Sequence, residues 1–383
     1  MKTSTRSKLG TSLGFRIRAL LPAAALSLFI IFFVNAPTAG RARVATRGHG
    51  AGGGAASRRA ASLPVALVPP PKADGPAERA RALLVHDDMA IPNIVHFVFG
   101  MEENFGHMGF SLMHYIALLG AALNVRAPIF WHHRFLPPAD NVYWSCAASL
   151  VTPVEVADVT EVHGKFFPTL HVAHKADVIR LNVLRSTGGI YLDSDVIALR
   201  SFDELRRLGG AERFVMGREE VPGQSGLCNA VLIGAPNSSF VNRWWARYDS
   251  FDPQIKPGDG KSWAYHSVIL PRELAGASPH DIAIVGPSAF FSPGWDKLKE
   301  LYEEDDGYNY RDNFAVHLWT SAENKRYGGL AKLTVEGVFA GKGSFHRVAR
   351  KVLTEAADAG LLCDYIAKQV AAVVPATPHA PGT

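Results

Sequence analysis

The stretch GGIYLDSDV, residues 188–196, decides the fold prediction for this chain. Its two glycines can end a preceding helix in a left-handed conformation without Cβ strain. The run Ile190-Tyr191-Leu192 is typical of a buried strand, and Asp193 and Asp195 follow where that strand ends. Two residues apart on an extended chain, these carboxylates point to the same side. Because paired carboxylates repel each other unless a cation or a proton lies between them, the pattern predicts a site for a hard divalent ion.

A helix is predicted just before this strand, over residues 170–187. Asp177 and Arg180 lie three residues apart within it and therefore share one helix face. Apolar residues near them (Ala173, Leu181 and Leu184) indicate that this face is at least partly buried. An Asp–Arg pair taken alone is more often a modest surface ion pair, so the residues themselves leave the role of Asp177 and Arg180 open.

Charge and hydropathy divide the chain of 383 residues into five predicted segments. Residues 1–73 carry 11 basic and no acidic residues, while residues 74–383 carry 29 basic and 35 acidic ones. The folded part is thus mildly acidic, which argues against a nucleic-acid partner. The uncharged run 19–36 is at the short end for a membrane span and favours an uncleaved anchor, with a cleaved signal peptide and a transit peptide as the open alternatives. The predicted segments are a cytoplasmic tail (1–18), a signal anchor (19–36), a flexible stem (37–88), a catalytic domain (89–350) and a partly disordered C-terminal extension (351–383).

Strand and helix patterns alternate along the predicted catalytic domain. Strands are predicted at 91–100, 128–131, 151–159, 190–192, 214–217 and 229–234, and helices at 107–123 and 170–187, with a Gly-rich loop between the last two strands. Such alternation indicates an α/β layer fold with ligands at the carboxyl ends of the strands. The three cysteines (Cys146, Cys228 and Cys363) allow at most one disulfide, and the sequence leaves the pairing open.

Residues 174–196, HKADVIRLNVLRSTGGIYLDSDV, resemble the Asp-x-Asp sugar-binding region of glycosyltransferase family 32. That family includes fungal Golgi mannosyltransferases and is related to α-1,4-glycosyltransferases. The close similarity covers about residues 171–202, with a weaker one from Ile91 to about Thr320. The resemblance implies a GT-A-like fold, a Rossmann-type mixed sheet flanked by helices. It also implies a retaining transfer of a hexose from a nucleotide-sugar donor, with Mn²⁺ (or Mg²⁺) as cofactor.

The resemblance also carries site residues over, position by position. It implies that Asp177 and Arg180 bind the donor sugar, with Tyr191 and Asp193 nearby and Phe97 at the nucleobase. It implies metal ligation by Asp195, Asp193 and His317. Asn229 matches an asparagine at the reaction centre, so the catalytic set is Asp193, Asp195 and Asn229.

The acceptor implied is a glycan, a glycoprotein or a glycolipid, and Glu219 and Glu220 are candidates for contact with it. Together with the anchor, the resemblance predicts a single-pass type II Golgi membrane protein with a luminal catalytic domain. Two alternatives remain open at this point. Residues 193–196 also fit the first motif of a haloacid-dehalogenase-like phosphatase, with Asp193 as nucleophile. The chain could also be a non-catalytic, glycan-binding Golgi subunit.

Overall fold

The GGIYLDSDV stretch forms the middle strand of a seven-stranded sheet and the turn that follows it. The computed structural model describes residues 88–105, 109–221, 224–253 and 264–374. The strands of the sheet are β1 (Val95–Val98), β2 (Ile129–His133), β3 (Thr152–Glu155), β6 (Gly189–Leu192), β8 (Phe214–Val221), β9 (Gln224–Gly234) and β10 (Ile282–Val285), in the order β10-β8-β9-β6-β1-β2-β3. Strand β9 is antiparallel to both neighbours, and the other pairings are parallel. The predicted α/β class with a mixed sheet is confirmed.

Two short strand pairs accompany the sheet. They are β4 (Glu161–Val162) with β5 (Lys165–Phe166), and β7 (Val196–Ala198) with β11 (Ala315–His317). The second pair begins directly after the two aspartates, so it fixes the course of the chain beyond the central strand.

Both glycines before β6 have backbone conformations that favour glycine. Gly188 has φ +66° and Gly189 has φ +104°. A Cβ on Gly188 would lie 2.6 Å from the nitrogen of Pro236, and one on Gly189 would lie 2.8 Å from the carbonyl oxygen of Ile94. The break between the helix and β6 therefore needs glycine for conformation and for space.

Helices cover both faces of the sheet. They are α1 (Leu112–Asn124), α2 (Val142–Ala147), α3 (Val172–Thr187), α4 (Asp203–Gly209), α5 (Ser239–Ala246), α6 (Leu270–Ala277), α7 (Leu298–Tyr302), α8 (Thr320–Arg326), α9 (Val335–Ala340), α10 (Ser344–Asp358) and α11 (Asp364–Val373). One apolar core includes the buried sides of α1 and α10, and a second includes those of α3 and α5. All four residues of β6 are buried, as expected for a strand covered on both faces.

The C-terminal part is more ordered than predicted. Helix α10 runs through the predicted domain boundary at residue 350, and its apolar side is buried in the core. Helix α11 follows, and a disulfide joins Cys363 to Cys146 of α2. The fold therefore continues past residue 350, through at least residue 374. The reason is the amphipathic pattern of α10, which buries one side against α1.

The segment between residues 217 and 229 also differs from the prediction. It is a β-hairpin of β8 and β9, extended beyond the paired part of β6, instead of a Gly-rich loop. The predicted tail and anchor, and the stem except for residue 88, lie outside the described residues. Within residues 88–374, apart from the gaps given above, no helix is both long and apolar enough to cross a membrane.

Candidate donor and metal site

Asp193 and Asp195 lie where the chain leaves β6 and turns into β7. Strand β7 pairs with β11 so that His317 is opposite Val196. This places Nε2 of His317 3.2 Å from Oδ1 of Asp195. One ligand atom each from Asp193, Asp195 and His317 can be chosen so that all three lie within 4.8 Å of one another. The structure thus brings together the three residues that the sequence predicted as metal ligands.

The second oxygen of Asp195 is held by Thr320, which the sequence did not point to. The backbone N–H and the hydroxyl of Thr320 both donate to Oδ2 of Asp195, at 3.0 and 2.8 Å. Thr320 can do so because Trp319 adopts a left-handed conformation, φ +54° and ψ +44°, directly before α8. That conformation is uncommon for a bulky residue. The Trp319 indole N–H donates to the carbonyl of Pro293, and its ring packs 4.0 Å from that of His317.

These contacts set the charges in the site. Burial alone would raise the pKa of the Asp195 carboxyl, but His317 and Thr320 outweigh burial and hold that pKa well below its usual range. Burial opposes the charged form of His317, and the neighbouring Asp195 carboxylate overcomes it, so the pKa of His317 is raised. Burial raises the pKa of Asp193 despite the nearby Arg180. Both shifts favour the charged forms, so the His317 imidazole and the Asp195 carboxylate stabilise each other.

The residues present fit a divalent cation. Carboxylate oxygens and an imidazole nitrogen are ligands of Mn²⁺ and related ions. Ligand atoms at right angles on an octahedral ion, each about 2.1 Å from it, lie about 3.0 Å apart. The separation of 3.2 Å between His317 and Asp195 is close to that value. His317 and Asp195 are therefore close enough to each other to ligate one metal ion.

Helix α3 supplies the other half of the site. Nη1 of Arg180 donates to the backbone carbonyl oxygen of Asn229 at 2.8 Å and lies 2.9 Å from Oδ1 of Asp193. Nη2 of Arg180 lies 3.4 Å from Oδ1 of Asp177, which also accepts from the Asn229 side-chain amide at 2.7 Å. The Tyr191 hydroxyl donates to Oδ1 of Asp193, and Arg180 lies over the Tyr191 ring. Arg180 therefore links the helix to the aspartates at the end of β6.

The structure gathers the predicted residues into one site with one exception. Asp177, Arg180, Tyr191, Asp193, Asp195, Asn229 and His317 are connected by the contacts given above. Phe97 is not part of this site. Its ring is fully buried in the core and packs against Trp131. Strand β1 is buried on both faces, so the predicted contact of Phe97 with a nucleobase is corrected to core packing.

Comparisons with known proteins agree with this geometry. Residues 147–214, which include Asp177, Arg180 and both aspartates, match the family described as "Glycosyltransferase sugar-binding region containing DXD motif". A protein of Cryptococcus neoformans var. grubii, "Glucan organizing enzyme 1", is 32% identical over 272 residues, covering 68% of this chain and 70% of the relative. An uncharacterized protein of Arabidopsis thaliana is 38% identical over 89 residues, which cover 22% of this chain and 12% of that protein.

Solved structures of similar proteins include two glycosyltransferases. GlyE of Streptococcus pneumoniae TIGR4 matches with 10% identity and a TM-score of 0.40, over 70% of this chain and 64% of the other. The galactosyltransferase LgtC, solved with donor and acceptor sugar analogues, matches with 14% identity and a TM-score of 0.35, over 64% of this chain and 98% of the other.

Proposed function

Because this chain belongs to the glycosyltransferase family with an Asp-x-Asp sugar-binding region, we propose that it moves a hexose from a nucleotide sugar to a glycan, glycoprotein or glycolipid acceptor. The observation that carries the proposal is the position of Arg180. Its guanidinium group contacts Asp193, a candidate metal ligand, and also Asp177 on the helix. A diphosphate bound at the aspartates would therefore place its sugar beside Asp177 and Asn229. We further propose that the domain is of the GT-A type.

Asp193, Asp195 and His317 would hold the divalent ion, Mn²⁺ or Mg²⁺. When bound, such an ion neutralises charge on the departing diphosphate. Asp195 is best prepared for this role, because Thr320 fixes one of its oxygens and leaves Oδ1 directed at His317. Asp193 would make a weaker contact with the ion, because its Oδ1 already accepts a hydrogen bond from Tyr191 and contacts Arg180. We therefore assign the strongest metal contact to Asp195.

Asp177, Arg180 and Asn229 would bind the donor sugar. A carboxylate accepts hydrogen bonds from sugar hydroxyls, and a guanidinium group donates in a rigid fork. The Asp177 and Arg180 side chains are almost fully buried, so each is held in one orientation before the donor arrives. The burial penalty on Asp177 is outweighed by Arg180 and its other partners, which hold the pKa of that carboxyl below its usual value. Asp177 is therefore a charged acceptor at neutral pH.

We propose that the reaction retains the anomeric configuration. The acceptor would attack from the face that the diphosphate leaves, and the leaving diphosphate would take the acceptor's proton. In this mechanism the side chains of the site contribute positioning and charge stabilisation instead of a covalent bond. Family membership and the complete set of site side chains leave the phosphatase and the non-catalytic alternatives without support.

We also propose that the catalytic domain works in the Golgi lumen, tethered by residues 19–36 as a type II membrane protein. The Cys146–Cys363 disulfide supports an oxidising compartment, because such bonds are rare in the cytosol. The apolar run, preceded by basic residues, supports the tether.

A donor screen tests the proposed function. The purified full chain, with Mn²⁺, is given a panel of UDP- and GDP-hexoses, and release of the nucleoside diphosphate is measured. We expect release from at least one donor and its suppression by a chelator. Para-nitrophenyl phosphate serves as the comparison substrate. Hydrolysis of this ester, with no turnover of any nucleotide sugar, would overturn the proposal.

A further inference from the structure

The turn between β9 and α5 carries the only Asn-x-Ser/Thr triplet of the chain, Asn237-Ser238-Ser239. Such a triplet, with any residue except proline in the middle, is the acceptor for N-linked glycosylation in secreted proteins. A glycan is bulky and hydrophilic, so its asparagine must stay at the surface when the chain folds. Asn237 and Ser239 are both exposed, and the position of the triplet therefore meets this requirement.

The local structure accounts for one residue of the triplet but not for the other. Asn237 adopts a left-handed conformation, φ +62°, in which asparagine is enriched, so the turn alone favours an asparagine there. The N-cap of α5, the position that favours serine, is Ser238, and Ser239 is the first residue of the helix. Capping therefore does not account for the serine at 239, whereas the glycosylation triplet requires a hydroxyl at this position.

Hydrogen bonds fix the orientation of the Asn237 amide. Oδ1 of Asn242 accepts from Nε of Arg185 at 3.0 Å, and Nδ2 of Asn242 donates to the backbone oxygen of Asn237 at 2.9 Å. Because the guanidinium group can only donate and the carbonyl can only accept, the Asn242 amide has one orientation. Its Nδ2 also lies 3.3 Å from the Asn237 side chain, so the nearer atom there is the acceptor Oδ1. Nδ2 of Asn237, the atom that carries a glycan, is therefore on the side of the amide that faces away from Asn242.

The triplet lies at the end of β6 that is opposite to the donor and metal site. Because β9 is antiparallel to β6, Gly234 is opposite Gly189, the first residue of β6. The backbone N–H of Asn237 donates to the carbonyl of Arg185, near the end of α3, at 2.9 Å. Asp193 follows the other end of β6, about 13 Å along the strand from Gly189. A glycan on Asn237 therefore leaves the donor and metal site open.

We propose that Asn237 is N-glycosylated. Its Nδ2 forms a bond to the anomeric carbon of an oligosaccharide delivered on a lipid diphosphate. The bond from that carbon to the diphosphate oxygen breaks, Nδ2 gives up one proton, and the lipid diphosphate leaves. The modified amide keeps Oδ1 and one N–H, so both hydrogen bonds from Asn242 remain. The inference rests on the luminal placement in the proposed function and adds to it a modification site outside the donor and metal site.

The test uses the full chain, expressed in a eukaryotic host and purified as wild type, Asn237→Gln, Ser239→Ala and the conservative variant Ser239→Thr. Gel mobility is compared before and after treatment with peptide-N-glycosidase. This enzyme converts a glycosylated asparagine into aspartate, and heavy-oxygen water labels the new carboxylate. Mass spectrometry of the tryptic peptide that ends at Arg243 then identifies the modified residue.

A reporter variant tests the luminal placement separately. Arg311→Thr, made in the Asn237→Gln chain, places a hydroxyl two residues after Asn309. Both Asn309 and Arg311 are exposed, so a glycan can be accommodated there. The reporter should be glycosylated whenever this domain enters the lumen, whatever happens at Asn237.

We expect wild type and Ser239→Thr to carry a glycan that the glycosidase removes, and Asn237→Gln and Ser239→Ala to lose nearly all of it. Since Asn237 is remote from the donor and metal site, nucleoside diphosphate release should stay within about twofold of wild type in Asn237→Gln. This release is measured with the donor found in the screen.

A wild type without a glycan, in a host that glycosylates the reporter, would overturn the inference and leave the luminal placement standing. Absence of a glycan from both would overturn the inference together with the luminal placement. If wild type carries a glycan on Asn237 but turns over no nucleotide sugar, the proposed glycosyl transfer fails and the modification site stands.

Discussion

Replacing Thr320 by valine removes one hydroxyl from the group that holds Asp195 and conserves the shape of the side chain. The lost contact is the 2.8 Å hydrogen bond from the Thr320 hydroxyl to Oδ2 of Asp195. The backbone N–H of residue 320, at 3.0 Å, remains. Asp195 is therefore not left without a donor, but its carboxylate loses one of two restraints.

The size of the effect follows from the charge of the acceptor. A hydrogen bond to a charged group contributes about 1.5–3 kcal/mol, and loss of such outer contacts typically lowers metal affinity about 10–100-fold. Because the backbone donor stays, we expect the lower end, about tenfold weaker Mn²⁺ binding in Thr320→Val. Isothermal titration of the purified chain with Mn²⁺ measures this directly.

Two control variants isolate the hydroxyl. Thr320→Ser keeps the donor and should bind Mn²⁺ within about twofold of wild type. Ser321→Ala removes a hydroxyl from the next, exposed residue and should change nothing. Wild-type affinity in Thr320→Val would refute the claim that this hydroxyl prepares Asp195 for the metal.

Three further predictions concern stability. Arg180→Met leaves the buried Asp177 carboxylate without its cationic partner, so we expect the free energy of unfolding in urea to fall by about 3–5 kcal/mol; unchanged stability would contradict the burial of this ion pair. Cys363→Ser removes the disulfide to Cys146, which lies 217 residues away along the chain. We expect the free energy of unfolding to fall by about 2–5 kcal/mol, and dithiothreitol to have no effect on the thermal unfolding of this variant. Thermal unfolding of wild type that is unaffected by dithiothreitol would contradict the disulfide. Burial lowers the pKa of His96 to about 4 from 6.5 in the unfolded chain, so the neutral ring stabilises the fold fully above pH 6.5 and progressively less as the pH falls towards 4. Denaturant titrations should therefore show that the free energy of unfolding falls by about 2 kcal/mol less between pH 7 and pH 4.5 in His96→Gln than in wild type. An equal fall in both proteins would show that His96 is not buried as a neutral ring.

The half of the site that is local in sequence could be predicted from the residues themselves. Asp177 and Arg180 share a helix face, and Asp193 and Asp195 share a strand side, because fixed helical and extended geometries set those relations. His317 was found only through the family resemblance, because the β7–β11 pairing that brings it to Asp195 joins distant parts of the chain.

Other features depend on tertiary structure in ways that the sequence does not show. The role of Thr320 requires the left-handed turn at Trp319, which no local pattern predicts for a tryptophan. Phe97 was misplaced because a strand buried on both faces has no polar alternation to indicate which side faces a ligand. The hairpin was missed because residues 218–220 are all charged. Only the structure shows that Glu219 points inward.

The role of Asp195 as principal metal ligand is tested most directly by the rate of Mn²⁺-dependent nucleoside diphosphate release, measured for wild type and for Asp195→Asn. Asp364→Asn, an exposed position at the start of α11, is the matched control. We predict that Asp195→Asn releases nucleoside diphosphate at least about a hundredfold more slowly than wild type and keeps the wild-type circular dichroism spectrum, and that Asp364→Asn releases it at the wild-type rate. Release by Asp195→Asn at the wild-type rate would contradict the assignment of Asp195 as the principal metal ligand of a glycosyltransferase site.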